Sequence, residues 1–382
     1  MGTEPTPYSK PWVDWLAGRI HDPVTRLRFL QAVGPPADVV EKSGLARFAW
    51  PFVLFTVAIG LALVQTGGER HPVVKPARPV AVIHPAPNES FSSIWLVENA
   101  GGSDLYSNGL RIDNRFVVAN HPRAYLVVSR KPGGKTIRRT EPAGIVYHAT
   151  ESQLVPFEPD QNRALQRIGE SLLEYVRRKR AYHFLIDRFG RVFRVVAESD
   201  SANHAGNSVW ADEEFFYINL NQSFFGIAIE AQTHPGPDEG RISPAQSRAV
   251  AMLTEMLRSR YQVRAGNCVT HAQVSVNPAN MEVGYHTDWA SGFPFTQLGL
   301  PDNYARPLPA LWAFGFGFDQ EFSERAGDRL TVGVQAGEAQ LADAAAEAGV
   351  SPRDYRRGLQ REYRMRLAEV RGANLAQTDD SE

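Results

Sequence analysis

Two spacings of apolar residues dominate the middle of the chain. Nearly continuous apolar runs, GIVYHA and FFGIAIE, are typical of strands that are buried on both faces. Residues 162–179 and 243–261 instead repeat apolar side chains every three or four positions, which predicts amphipathic helices. Two β-rich runs flank a turn at 187–190 and predict a hairpin. This alternation predicts an α/β or α+β domain over residues 140–300.

The segments on either side of this domain have other patterns. Residues 91–139 carry short runs of β-branched and aromatic residues between turns that contain Gly and Asn, which predicts a small β-rich extension. Residues 301–328 are rich in aromatic residues, Gly and Pro, and are predicted to form an aromatic strap. From 329 to 370 we expect a short strand at Leu330 and then two helices, and residues 371–382 are predicted to be a tail.

The amino-terminal part lacks the pattern of an independent core. Residues 1–47 predict short amphipathic helices, whereas residues 48–65 contain no charged side chain and predict a membrane-spanning helix at the short end of the usual length. A buried core helix is the alternative, and a cleaved signal peptide is disfavoured by the long segment that precedes the run. Proline every few residues over 66–90 predicts an extended tether.

Composition narrows the classes of function. The formal net charge of −1 shows none of the basic character of a nucleic-acid-binding protein. Cys268 is the only cysteine, so the chain has no internal disulfide and almost no basis for a zinc site made of thiolates. Any metal must therefore be held by imidazole and carboxylate groups.

Histidine and aspartate residues stand where such a site needs them. His148 ends the apolar run GIVYHA, and the stretch VTHAQVSVNPANMEVGYHTDW contains His271 and Asp288. Two neutral imidazoles and one carboxylate are a ligand set of catalytic zinc, which keeps a further position open for water. Such a site lowers the pKa of its water to about 7. For each histidine taken alone, a hydrogen-bonded structural role is the alternative.

Six segments follow one another in a recognisable order: GIVYHATES, AYHFLIDRFGRVF, NHAGNS, NQSFFGIAIE, ISPAQSRAVAMLTEML and VTHAQ…GYHTDW. Together they resemble the zinc-dependent N-acetylmuramoyl-L-alanine amidases, whose fold is shared by peptidoglycan recognition proteins, over about residues 140–295. The resemblance implies a central mixed β-sheet flanked by helices, with Zn²⁺ in a cleft at one face. It also implies hydrolysis of the amide between N-acetylmuramic acid and the first L-alanine of the stem peptide.

Position by position, the resemblance assigns a role to each candidate residue. His148, His271 and Asp288 match the zinc ligands. Tyr182 matches a tyrosine beside the catalytic water, and His286 stands where many members have a lysine that stabilises the oxyanion. Three polar residues match the substrate cleft or lie near it: His204, Asn207 and Asn221.

The chain departs from the family pattern at three points. His271 and Asp288 are 17 positions apart, which is longer than usual, so the segment between them must loop out. His286 replaces the lysine. Ala228 occupies a position that is glutamate in some bacterial members. Glu230 lies on the same face of the same strand and is a candidate proton acceptor, with a structural pairing as the alternative.

The carboxyl-terminal part carries a second, fainter resemblance. TV, GE and LADAAAEAGVSPRDY follow one another over residues 329–370 as in LysM modules, which bind N-acetylglucosamine. One insertion interrupts the pattern at Gly337–Leu341. A plain helical hairpin that caps the enzyme is the alternative.

These observations predict a single-pass membrane protein whose amidase domain lies on the extracytoplasmic side and acts on peptidoglycan or muropeptides. Lys42 and Arg47 favour a cytoplasmic amino terminus. The first alternative is a non-catalytic peptidoglycan receptor of the same fold, which His286 and the long insertion motivate. The second is a soluble cytoplasmic enzyme that recycles anhydromuramyl peptides.

Overall fold

The computed structural model describes residues 89–131, 134–233 and 242–379. The predicted amino-terminal segment, the membrane-spanning helix at 48–65 and nearly all of the tether at 66–90 lie outside these ranges. Within the described ranges, no helix combines the length and the apolar character that crossing a membrane requires.

The described residues contain fourteen strands, seven α-helices and four short 3₁₀-helices. The strands are β1 Leu96–Ala100, β2 Ser103–Tyr106, β3 Arg111–Asp113, β4 Tyr125–Ser129, β5 Thr136–Arg139, β6 Gly144–Ala149, β7 Phe184–Ile186, β8 Val192–Arg194, β9 Val209–Ala211, β10 Phe215–Ile218, β11 Phe224–Ile229, β12 Cys268–Thr270, β13 Val276–Asn277 and β14 Glu282–Val283. The helices are α1 Asn162–Lys179, α2 Leu220–Ser223, α3 Pro244–Tyr261, α4 His271–Val274, α5 Pro309–Trp312, α6 Gln320–Glu347 and α7 Pro352–Asp379.

An eight-stranded mixed sheet forms the centre, in the order β1-β2-β3-β8-β7-β11-β6-β12. Its middle strands β7, β11, β6 and β12 run parallel to one another. Both β6 and β11 are buried at all six positions, as expected of parallel strands with both faces covered. The mixed sheet flanked by helices that the sequence predicted is therefore present.

The long helices of the central domain follow the predicted patterns. Helix α1 has the predicted bounds and is followed by Arg180, which adopts a left-handed conformation. Helix α3 begins after Ser243, whose side chain and that of Gln246 form a reciprocal capping box. Strands β7 and β8 pair antiparallel and form the predicted hairpin.

The predicted β-rich extension does not stand apart from the central domain. Strands β1, β2 and β3 continue the eight-stranded sheet through the parallel pairing of β3 with β8. Strands β4 and β5 instead belong to a four-stranded sheet of order β5-β4-β10-β9. Residues 91–139 thus complete two sheets, because their backbone groups find partners that lie far along the chain.

The strand predicted at Leu330 is wrong. Leu330 lies in α6, in a row of buried residues spaced four apart that includes Phe322, Ala326 and Val334. That spacing is helical, whereas the strand-like appearance of the sequence comes from the β-branched residues Thr331, Val332 and Val334. Residues 329–370 consequently contain two helices and no strand, as the helical alternative to a LysM module requires.

Helices α6 and α7 form a hairpin that the strap joins to the sheets. The guanidinium of Arg356 in α7 pairs with Glu338 in α6 at 2.6 Å. In the strap, Phe314 contacts Phe216 of β10, and Phe316 packs against Tyr363 of α7. Helix α7 runs to Asp379, so most of the predicted tail continues this helix.

Candidate metal centre

Two adjacent parallel strands bring the candidate histidines to the same edge of the sheet. His148 is the fifth residue of β6, and His271 follows directly after the last residue of β12. Thr270 is paired with Tyr147 in the sheet, which places the two histidines at the same level. The carboxyl edge of parallel strands is where α/β proteins commonly bind ligands.

The long segment between His271 and Asp288 folds back on itself. Strands β13 and β14 form a small antiparallel hairpin after α4. Two hydrogen bonds to Ser275 close its base, one from the backbone N–H of Gly284 to its carbonyl and one from that of His286 to its Oγ. The N–H of Ala272 then donates to the carbonyl of Asp288. The folded segment therefore brings Asp288 back next to His271.

The three predicted ligands converge. Nδ1 of His271 lies 2.7 Å from Oδ1 of Asp288, and Nδ1 of His148 lies 3.4 Å from Oδ2. One ligand atom from each of the three residues lies within 4.8 Å of the other two. The two histidines are buried and the carboxylate nearly so. Such a buried cluster of two imidazoles and a carboxylate is the donor set of a metal site.

Protonation of these groups suits metal binding. Burial opposes the ionisation of Asp288, but the charges and hydrogen bonds of His271 and His148 outweigh it and hold the pKa of the carboxyl far below its usual range. Burial, and then the charge of His271, lowers the pKa of His148 to about 4, although the Asp288 carboxylate raises it. At neutral pH the site therefore combines a carboxylate with a neutral His148.

Tyr182 lies beside these ligands. Its ring centroid is 5.0 Å from that of His148. Its φ of 60° is left-handed, a backbone conformation that residues other than glycine rarely adopt. Burial raises the pKa of the Tyr182 hydroxyl, and the charge of Asp288 adds to this shift. The hydroxyl consequently stays protonated and can donate a hydrogen bond.

His286 stacks on a ligand. Its ring centroid lies 4.6 Å from that of His271, and the planes are 21° apart. Tyr285, which was not among the predicted site residues, is 51% exposed and meets the His286 ring edge-on at 4.7 Å. Nothing in the sequence marks Tyr285 apart from its place next to His286.

His204 and Asn221 have hydrogen-bond partners inside the protein, and their contact with substrate stays a prediction. Nδ1 of His204 is 3.1 Å from Nε2 of His148, and its Nε2 is 3.2 Å from the carbonyl of Phe224. Both ring nitrogens thus have partners inside the protein. Oδ1 of Asn221 accepts the N–H groups of His204, Ala205 and Gly206, so this side chain shapes the loop.

Asn207 lies in the same loop and differs from these two residues. Its side chain is exposed, and its carbonyl accepts the N–H of Val276 in β13. The loop therefore meets the hairpin that follows His271. Its contact with substrate stays a prediction.

Glu230 makes hydrogen bonds that hold neighbouring elements of the fold together. Its Oε2 accepts the backbone N–H of Arg188 in the β7–β8 turn, and its carbonyl accepts a hydrogen bond from Gln246 of α3. Burial raises its pKa, partly offset by the Arg188 hydrogen bond. The position two residues earlier is Ala228, fully buried and paired with His148 in the sheet. Glu230 therefore ties the turn to α3, and neither position supplies an exposed carboxylate.

Residues 138–288 match the sequence profile of a family described as N-acetylmuramoyl-L-alanine amidase. No curated protein matches the chain.

Solved structures of amidases are also similar to it. The N-acetylmuramoyl-L-alanine amidase LysC from Clostridium intestinale is 22% identical, with 41% of this chain and 83% of that chain covered, at a TM-score of 0.26. AmiD from E. coli, in complex with a muropeptide substrate, is 20% identical over 62% of this chain and 88% of that chain, at a TM-score of 0.36. AmpDh3 from Pseudomonas aeruginosa is 23% identical over 41% and 58% respectively, at a TM-score of 0.31.

The family match and the metal centre coincide in the chain. The matched segment begins shortly before β6, which carries His148, and ends at Asp288. It contains all three residues of the converging cluster. Residues 138–288 of this chain therefore match the N-acetylmuramoyl-L-alanine amidase family over the segment that carries the metal centre.

Proposed function

We propose that the chain hydrolyses the amide between the lactyl group of N-acetylmuramic acid and the first L-alanine of the stem peptide, with Zn²⁺ as its metal. The convergence of His148, His271 and Asp288 inside the matched amidase segment is the observation that carries the proposal. Two imidazoles and one carboxylate leave room for a further ligand and so fit catalytic zinc.

In the reaction, water adds its oxygen to the lactyl carbonyl carbon and the C–N bond breaks. One proton of the water ends on the leaving nitrogen, which becomes the amino terminus of the released stem peptide. Zn²⁺ bound by the three residues supplies a Lewis acid that activates water and polarises a carbonyl. The chain provides the remaining groups.

Tyr182 and His286 flank the ligands from two sides. The protonated hydroxyl of Tyr182, beside His148, offers a hydrogen bond to a developing oxyanion or to the attacking water. His286, stacked on His271, takes the place of the family lysine and offers an N–H to the oxyanion. Asp288 stays ionised, and its two oxygens lie 2.7 Å from Nδ1 of His271 and 3.4 Å from Nδ1 of His148, where they can share a metal with the histidines.

We further propose that residues 48–65 anchor the chain in a membrane, with the amidase segment on the extracytoplasmic side. The uncharged run and the proline-rich segment after it support this placement. Protease added to intact cells should leave the carboxyl-terminal part uncut until the outer layers are disrupted. Protection that persists after this disruption, and ends only when the inner membrane is opened, would favour the cytoplasmic recycling enzyme.

A peptidoglycan receptor without turnover is the competing function. Ala228 in place of a glutamate and His286 in place of lysine favour it, because each removes a group used by some members of the family. The complete ligand set and Tyr182 weigh against it, since binding alone does not require them.

Digestion of purified peptidoglycan separates the two functions. The full chain with one equivalent of zinc should release stem peptides with new L-alanine amino termini, detected by mass spectrometry. The His148→Ala variant serves as the control for contaminating hydrolases. Tight binding of muropeptides with no such release would support the receptor and contradict the amidase.

A further inference from the structure

The ring of His204 stands directly behind His148. His148 directs Nδ1 toward Asp288 and Nε2 toward Nδ1 of His204, 3.1 Å away. His204 in turn directs Nε2 to the carbonyl oxygen of Phe224, 3.2 Å away. A line of contacts therefore runs from a backbone carbonyl through two imidazoles to the metal centre.

The hydrogen positions along this line follow from its fixed end. A carbonyl oxygen only accepts, so Nε2 of His204 must carry the hydrogen that is donated to Phe224. A neutral imidazole has one N–H, which leaves Nδ1 of His204 as an acceptor. Nε2 of His148 must then be the donor, and Nδ1 of His148 is left with a free lone pair that faces Asp288. A lone pair and a carboxylate oxygen 3.4 Å apart suit a cation between them.

The fold holds His204 in this orientation from both sides. Asn221 accepts three consecutive N–H groups of its loop, beginning with that of His204 itself. The ring lies against Gly226 of β11, where an added Cβ would come within 2.5 Å of the His204 Cγ. Only glycine at this position leaves space for the imidazole.

The second histidine ligand has no such support among the described residues. Nε2 of His271 is buried without a hydrogen-bond partner, so its ring is held by its contact with Asp288 and by stacking on His286. The two ligands therefore differ, and any effect of His204 should reach the metal through His148 alone.

We propose that His204 is a positioning residue that selects the Nε2–H tautomer of His148 and so keeps the Nδ1 lone pair directed at the metal. This inference rests on the proposed zinc site but not on amide hydrolysis. In the opposite tautomer the hydrogen on Nδ1 would point at Asp288 and would have to be displaced before a metal could bind. Partners of this kind typically change metal affinity by about 10–100-fold when they are removed.

Two nearly isosteric variants isolate the acceptor. His204→Asn can place Oδ1 where Nδ1 was, whereas His204→Leu has the same shape without an acceptor; both lose the bond to Phe224. In the full chain, competition against a chromophoric chelator should show zinc affinity about 10–100-fold weaker for leucine, and within about threefold of wild type for asparagine. Equal affinity in all three proteins, or an equal loss in both variants, would overturn the proposal.

The tautomer itself gives a readout that needs neither zinc nor activity. The ¹⁵N shifts of the His148 ring in metal-free protein with labelled histidine should show a protonated Nε2 and an unprotonated Nδ1. The leucine variant should show a mixture. A protonated Nδ1 in the wild-type chain would overturn the proposal even if neither variant folds. If the wild type binds zinc yet releases no stem peptide, the amidase function fails and this comparison still decides the role of His204.

Discussion

Nδ1 of His271 lies 2.7 Å from Oδ1 of Asp288, although the two are 17 positions apart in the chain. The hairpin β13–β14 between them is held from outside the amidase segment. The N–H of Val283 donates to the carbonyl of Gly317, and the N–H of Gly317 donates to the carbonyl of Met281. The strap after residue 300 thus supports the position of Asp288.

A substitution at Gly284 tests whether the strap supports the hairpin. Its φ is +84°, and a Cβ there would overlap the ring of Phe322 at the start of α6. Gly284→Ala should lower the free energy of unfolding by about 2–5 kcal/mol, from left-handed strain together with steric overlap, and should also weaken zinc binding. Urea unfolding of the metal-free chain measures the first effect.

Gly299→Ala is the matched control for that variant. Gly299 has a φ of +71° but open space where the Cβ would stand, so only the conformational cost of about 1–2 kcal/mol applies. Equal losses in the two variants would mean that the contact between Gly284 and Phe322 does not hold the hairpin.

Tyr182 should act in the reaction and not in metal binding. Removing its hydroxyl in Tyr182→Phe leaves the ring next to His148, so zinc affinity should stay unchanged while kcat falls about 100-fold. Tyr175→Phe, an exposed tyrosine on α1, is the control. An unchanged kcat in the Tyr182 variant would remove this residue from the mechanism.

His286 should be replaceable by the lysine of the family. Both side chains present an N–H near the oxyanion, whereas His286→Ala removes it and should lower kcat/KM by about 100–1,000-fold. His286→Lys should remain within about tenfold of wild type, by the same argument. Steady-state rates on a defined muropeptide compare the three proteins. If the alanine and lysine variants were equally impaired, the contribution of His286 to the rate would come from its stacking on His271 and not from a hydrogen bond.

Glu230 should affect stability and leave catalysis unchanged. Burial raises its pKa above the ordinary value of 4.5, so the folded chain holds this proton more tightly than the unfolded chain does. Ionisation of the buried Glu230 carboxyl destabilises the folded chain. This destabilisation is absent below pH 4.5 and grows as the pH rises through the pKa of the folded state. Glu230→Gln keeps an acceptor for Arg188 and should therefore gain stability relative to wild type between pH 4.5 and 7.5.

Urea unfolding at several pH values measures that difference, and stem-peptide release measures activity in the same variant. A constant difference across this pH range would show that Glu230 titrates normally. A large loss of activity would return it to the list of catalytic candidates.

The local pattern of apolar residues predicts those strands and helices whose burial is visible in their own sequence. Strands β6 and β11 are buried on both faces, and α1 and α3 each have an apolar stripe. Their sequences therefore predict these elements directly. The ligand set was also predictable, because His148 and His271 each stand at the end of such a strand. The pairing of β3 with β8 was not predictable, since strands of three residues carry no signal of their partner.

The roles of polar residues around the metal centre depend on tertiary contacts. His204 and Asn221 share sequence features with substrate-binding residues, yet one stands behind His148 and the other holds its loop. Glu230 faces the turn at Arg188 for the same kind of reason: the turn comes from a different part of the chain. Spacing along the sequence does not encode which of two polar groups meets the solvent.

The central claim is that His148, His271 and Asp288 hold the metal on which amide hydrolysis depends. The most direct test is to add zinc in steps to the metal-depleted full chain while the release of stem peptides from peptidoglycan is followed. Release should start near zero, rise in proportion to added zinc and stop rising at one equivalent, and the Asp288→Ala variant should stay inactive over the same range. Full release from the metal-depleted chain in excess chelator, or equal release from the Asp288→Ala variant, would contradict the claim.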